Sequence, residues 1–192
     1  MMSDDQSDLR SSMSELDLVQ HLLADLHDDL PGKIARSRQL VDLSETLGAL
    51  GTMMFGGETG YVAWREARWC FIHGNFMATI LLCQTLAEHT LAGFLHAVVP
   101  SKKLPQRISF SDTLDRCRDE RVISAGEAED LRRLMNLRNP LSHFRNLDDP
   151  GNLSRRAISM DTHANDALKQ DACFAIGVAT RVLALPHFRL GQ

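Results

Sequence analysis

The chain has 192 residues, a length that suits one domain with at most a helical extension. Hydrophobic residues at 44% and charged residues at 24% are the proportions of a globular chain that buries a single core. The formal net charge of −4 excludes a molecule that is basic over its whole surface, so any contact with nucleic acid has to use a local patch.

Residues 1–13 are polar and aperiodic and read as a frayed tail. From Ser14 onward, Leu16, Val19, Leu22, Leu23 and Leu26 fall at helical spacing, and Pro31-Gly32 is expected to end that first helix. A second pattern over 33–54 rests on Leu40, Leu43, Leu47 and Leu50, and Gly56-Gly57 punctuates it. The third helix, over 59–73, holds both tryptophans, Trp64 and Trp69. Gly74-Asn75 then reads as a stop followed by an N-cap, and Pro100 closes the fourth helix at its far end. Across 75–101 the only formally charged side chain is Glu88, so this helix is expected at the centre of a bundle. Gln84, Glu88, His89 and His96 interrupt its apolar run, which argues against a membrane span.

A short fifth helix begins near Phe110, with Ser109 and Asp112 spaced as a capping box. Ser124 and Glu127 form a second box at the start of the next helix. Residues 147–160 read as loop, with a turn at Asp149-Pro150-Gly151. The last helix, over 161–185, carries Leu168, Ala172, Ala175, Ala179 and Val182 on one stripe before Pro186. No stretch alternates with period two, so the class is all-α, with about seven helices and no internal repeat.

Cys70, Cys83, Cys117 and Cys173 include no close pair and read as reduced, buried cysteines of a cytosolic protein. The N-terminal Met-Met-Ser-Asp-Asp-Gln is acidic where a secretory signal is basic and then apolar. A soluble cytoplasmic protein is the expectation.

Chemistry concentrates between Leu131 and Asn146, where Arg132, Arg133, Arg138 and Arg145 occur with no carboxylate. Arg138 follows Leu131, Leu134 and Met135 at offsets of seven, four and three, which puts it on the apolar stripe of its helix. A guanidinium there needs either a structural ion pair or an anionic ligand such as phosphate. Glu88 is a candidate for the ion pair. Asn139-Pro140 suits the start of a helix better than its interior, so a break is expected there, with Arg138 ending one segment and His143 in the first turn of the next.

The hexapeptide Arg138-Asn139-Pro140-Leu141-Ser142-His143 resembles the HEPN signature, an arginine followed by a polar residue and then a histidine. The apolar run GNFMATILLCQTLAEHTLAGFL resembles the core helix of that family, and FSDTLDRCRDERVISAGEAEDLRRLMNLRNPLSHFR resembles its approach to the signature. The likeness covers roughly residues 60–185. It implies a HEPN-like up-and-down helical bundle over 56–192, packed as one unit with a helical extension over 14–55. It also implies a metal-independent endoribonuclease with no cofactor, working as a homodimer with the 138–143 motifs facing one cleft. In that scheme Arg138 holds the scissile phosphate, His143 moves a proton, and Asn139 orients the phosphate or the imidazole. RNA is the substrate, and a 2′,3′-cyclic phosphate is the product. A toxin or defence component with a small nucleotidyltransferase-like antitoxin fits the resemblance. So does a non-catalytic HEPN-like module that binds RNA or a protein partner.

A third class is a helical metal site built on His89 and His96, seven residues apart on one face, with Glu88 nearby. Helical dimetal centres need more carboxylates than this chain places there.

Overall fold

The computed structural model describes residues 14–98 and 104–191. The tail expected over 1–13 and the stop expected at Pro100 lie outside them. Among the described residues there are eight α-helices and no strand, with one isolated antiparallel bridge between Thr52 and Arg189. The protein is an all-α bundle.

The first helix, α1 (Glu15–His27), opens with a complete capping box. Asp17 N–H donates to Ser14 Oγ (3.2 Å), and Ser14 N–H donates to Asp17 Oδ2 (3.1 Å). The helix stops at Asp28, ahead of Pro31, and α2 (Leu30–Glu45) begins before the proline instead of after it. The missing N–H of Pro31 falls in the first turn of α2, where no intrahelical partner exists for it in any case. Asp29, in the left-handed region at φ 47°, makes the corner.

The core is built on α3 (Gly57–His73) and α4 (Phe76–Val98), a helical hairpin joined by two residues. Gly74 takes φ 80°, which lets the Asn75 N–H reach back to the Cys70 carbonyl at 2.8 Å and close the end of α3. Ile80, Cys83, Leu86, Ala87 and Leu91 of α4 are wholly buried. This helix packs against α3, α5 (Phe110–Asp119), α6 (Ala125–Ser142) and α8 (Ala164–Leu183), which is the central place its largely apolar girth requires.

Ser109 caps α5 by accepting from Asp112 N–H at 3.0 Å, but the return arm runs from the Ser109 hydroxyl to the carboxylate (2.7 Å). The box at Ser124 and Glu127, opening α6, is complete. A further helix, α7 (Leu153–Ser159), interrupts the segment expected to be loop. Asn152 nucleates it by accepting from Ser154 and Arg155 N–H, and seven residues are too few for periodicity to announce. An ion pair holds it to α8: Arg156 Nη1 lies 2.9 Å from Asp171 Oδ2, and Nη2 donates to Oδ1 at 3.1 Å.

The chain ends by folding back on itself. Phe188 carbonyl accepts from Met53 N–H at 2.7 Å, and Phe55, Phe94 and Phe188 form an aromatic cluster with centroids 5.1–5.4 Å apart. Gly93 gives the Phe55 carbonyl room to pass over α4; a Cβ there would collide with that oxygen.

The four cysteines are free thiols. Burial pushes the Cys83 thiol well up and the Cys117 thiol to about 12, so neither is a nucleophile near neutrality. Among the described residues, no helix is long and apolar enough to cross a membrane.

Candidate functional site at the end of the sixth helix

The segment from Leu131 to Asn146 forms the second half of α6 and the loop after it. Its apolar stripe behaves as the spacing requires. Leu131 and Leu134 are buried in the core, and Met135, Leu137 and Leu141 pack against it in part. Arg138 lies at the outer end of that stripe, half-buried.

The break expected at Asn139-Pro140 is absent. Helix α6 runs through Pro140 to Ser142, and His143 is its C-cap, with extended backbone at φ −129° and ψ 135°. The reason lies in the position of the proline, which falls in the last turn. The proline still forfeits one intrahelical hydrogen bond and crowds the carbonyl four residues back, but the helix has only two further residues to form beyond it. The ring also sits against Gly151, where the following turn folds back onto the helix end. Asn139 is therefore not an N-cap. Its carbonyl accepts the His143 N–H at 3.1 Å, so its backbone closes the helix on which Arg138 stands.

The loop after His143 is tied to itself. Asp149 Oδ1 accepts from Gly151 N–H at 2.7 Å, Asn152 Nδ2 donates to the Arg145 carbonyl at 3.1 Å, and Arg145 lies 3.5 Å from Asp149. That frame leaves its apolar side chains outside: Phe144 is 95% exposed and Leu147 69%. Periodicity gives no hint of this, since Phe144 lies past the end of the helix.

The four arginines of the segment divide sharply. Arg132 pairs with Asp115 of α5 at 2.7 Å, Arg133 stacks on the Phe174 ring of α8 at 4.1 Å, and Arg145 faces Asp149. Arg138 alone of the four makes no ion pair, ring contact or side-chain hydrogen bond among the described residues. Glu88, half-buried on α4, does not pair with it. Two of the four guanidinium groups thus face a carboxylate, Arg133 has a ring contact alone, and Arg138 has neither among the described residues. It stands five residues before an exposed histidine and six before the exposed Phe144.

His89 and His96 are exposed on α4. Among the described residues, no group of three His, Cys, Asp or Glu side chains is placed to hold a metal ion.

Compared with known proteins, the chain matches no family model, no curated protein and no solved structure.

Proposed function

We propose that this protein is a HEPN-type, metal-independent endoribonuclease acting on single-stranded RNA, with its reactive centre at Arg138 and His143. The observation that carries the reading is the isolation of Arg138: its three neighbouring arginines each have a side-chain contact to Asp115, Phe174 or Asp149, and this half-buried one is left for an external anion. A phosphate diester is such an anion, and guanidinium recognises it through paired hydrogen bonds.

RNA brings its own nucleophile. In this scheme the 2′-oxygen attacks the adjacent phosphorus, its proton is removed, and the bond to the 5′-oxygen breaks. The products are a 2′,3′-cyclic phosphate and a free 5′-hydroxyl. Arg138 stabilises the charge that grows on the phosphoryl oxygens. His143, exposed at the C-cap and free to reach a bound strand, transfers the proton. Asn139 orients the scissile phosphate from the last helical turn. Phe144 offers a face on which a neighbouring base stacks, a contact that tolerates any sequence. In the active species, a homodimer, two copies of the 138–143 motif face one cleft.

Purified protein is expected to cleave single-stranded RNA in the presence of EDTA, leaving cyclic phosphate ends. His143→Ala abolishes cleavage but retains RNA binding, and Arg138→Ala loses both. Cleavage that survives in His143→Ala rejects the assignment.

A second reading, a non-catalytic module for RNA or a protein partner, is favoured by Phe144, Leu147 and Ile158, three large apolar side chains exposed on the motif loop and on α7. Stoichiometric binding without turnover distinguishes it. A nucleotidyltransferase-like antitoxin is the partner to test first, and relief of growth arrest by Arg138→Ala is the readout for a toxin.

A further inference from the structure

The buried face of α3 is made of Gly60, Ala63, Ala67 and Phe71, spaced three and four apart, and their small size lays the helix closely on α4. That spacing fixes what the opposite face shows. The chain has two tryptophans and one tyrosine, and all of them lie on this helix, at Tyr61, Trp64 and Trp69. Tyr61 is 52% exposed and Trp69 64%, although rings of this size are usually buried for the large apolar area they bring to a core. They are the only large apolar side chains that α3 exposes.

Tyr61, Arg65 and Trp69 stand four residues apart in turn, so they form one row along the helix, about 12 Å long at 1.5 Å per residue. Arg65 is 63% exposed, and Glu66, itself 51% exposed, lies 3.9 Å from it, a pairing too loose and too wet to neutralise the guanidinium. Arg68, exposed beside the row, lies over the Trp64 ring at 5.5 Å and pairs with no carboxylate among the described residues. The Trp69 ring is steadied by His73, with centroids 4.3 Å apart, and is otherwise open. From Tyr61 to His73 the helix carries two arginines against one glutamate, a local reversal of sign in a chain of net charge −4. Glu58, in the first turn, bounds the row at its other end.

We propose that this face of α3 is a track for a single strand of nucleic acid, with bases stacked on Tyr61 and Trp69 and phosphates held by Arg65 and Arg68. The chemistry selects that occupant over a protein. A protein interface surrounds its aromatic anchors with an apolar core depleted of charge. Here an arginine stands between the two rings, and no exposed aliphatic side chain of α3 joins them. Rings alternating with cations suit a strand in which a flat base and an anionic phosphate recur in every nucleotide. A duplex does not fit, because its bases are stacked on one another and offer no free face to either ring. These residues lie on a different helix from Arg138 and His143, so the track does not rest on the ribonuclease reading.

The full chain carrying Arg138→Ala is titrated with a labelled dodecamer of deoxythymidylate and followed by anisotropy. That substitution removes the contact proposed at the 138–143 motif, and a strand without 2′-hydroxyls is not cut by attack of its own oxygen. Saturable binding is expected with a Kd of about 10–100 µM, in the range of sequence-independent contacts and too weak to survive a gel shift. Tryptophan fluorescence is quenched in parallel. Adding Tyr61→Ala or Trp69→Ala weakens binding about tenfold, the loss of one stacked base. Trp69→Phe, which keeps a ring, weakens it less than about threefold. Arg65→Glu weakens it about tenfold by setting a carboxylate where a phosphate passes. Melting temperatures stay at the parent value, since these exposed side chains support no core contact. No binding at about 1 mM strand overturns the proposal and leaves the rings to a protein partner. Binding that survives Tyr61→Ala and Trp69→Ala together also overturns it, by placing the strand on another face. Neither result bears on cleavage by the parent chain and its loss in His143→Ala, which decide the ribonuclease reading separately.

Discussion

Arg132 closes a 2.7 Å ion pair onto Asp115 of α5, while Arg138, six residues further along the same helix, meets no carboxylate among the described residues. One arginine joins two helices and the other lies half-buried at the end of the apolar stripe without a partner among the described residues. Their substitutions are therefore expected to separate. Arg132→Ala lowers stability by about 0.5–1 kcal/mol, the usual range for a partly exposed pair, and leaves RNA binding in place. Arg138→Ala changes stability by less than about 0.5 kcal/mol, since no intramolecular partner is lost, and removes RNA binding. Denaturant titration beside a gel-shift assay reads both, and a large stability loss in Arg138→Ala contradicts the assignment.

The pair Arg156–Asp171 is the strongest polar tie of α7 to the body. Asp171 is 7% exposed, its Oδ1 accepts from Arg156 Nη2 and its Oδ2 lies 2.9 Å from Nη1, so removing Arg156 leaves a carboxylate with little access to water. Arg156→Ala is expected to cost about 3 kcal/mol. Amide exchange over 153–159 rises before the rest of the molecule opens, because that short helix has little else to hold it.

Gly93→Ala places a methyl group against the Phe55 carbonyl on a backbone that cannot yield without disturbing the Phe55–Phe94–Phe188 cluster. The expected cost is about 1–3 kcal/mol, visible as a lower melting temperature with helix content unchanged. Gly126→Ala, where a methyl group meets open space, serves as the control and is neutral or stabilising.

The corner between α1 and α2 is expected to loosen in acid. Hydrogen bonding from Arg36 holds the Asp29 carboxyl below its usual range, so its folded-state value lies under its unfolded one. The stabilisation is then complete above the ordinary carboxylate value of about 3.9 and is lost as pH falls through the lower, folded value. Protease cleavage near residues 28–32 should stay slow from pH 8 to pH 5 and quicken only below about pH 4. Asp29→Asn cuts equally fast at both ends of that range.

Caps and stops were legible wherever the signal is local. Ser14, Ser109 and Ser124 each accept the backbone N–H three residues on, and Gly74 closes α3 in the left-handed conformation that its lack of a side chain allows. The proline signals were readable as positions but not as outcomes. Pro31 lies in the first turn of a helix, where its missing N–H costs nothing, whereas Pro140 lies in the last turn of one, where it forfeits a hydrogen bond and the turn at Gly151 packs against its ring. Helix α7 escaped notice because its cap and its ion pair to Asp171 replace the periodic stripe that a longer helix needs.

The sequence alone therefore determined an all-helical chain around a central helix with a single charged side chain, Glu88, and it placed Arg138 on an apolar stripe in need of an anion. Periodicity and capping act over three or four residues, so those facts are written in the chain. Which arginines find partners was decided only by tertiary structure, for Asp115, Phe174 and Asp171 reach Arg132, Arg133 and Arg156 from other helices. So was the exposure of α1, whose leucines match a buried stripe in spacing but stay at least half exposed among the described residues. Spacing fixes the direction in which a side chain points, and packing fixes what it meets there.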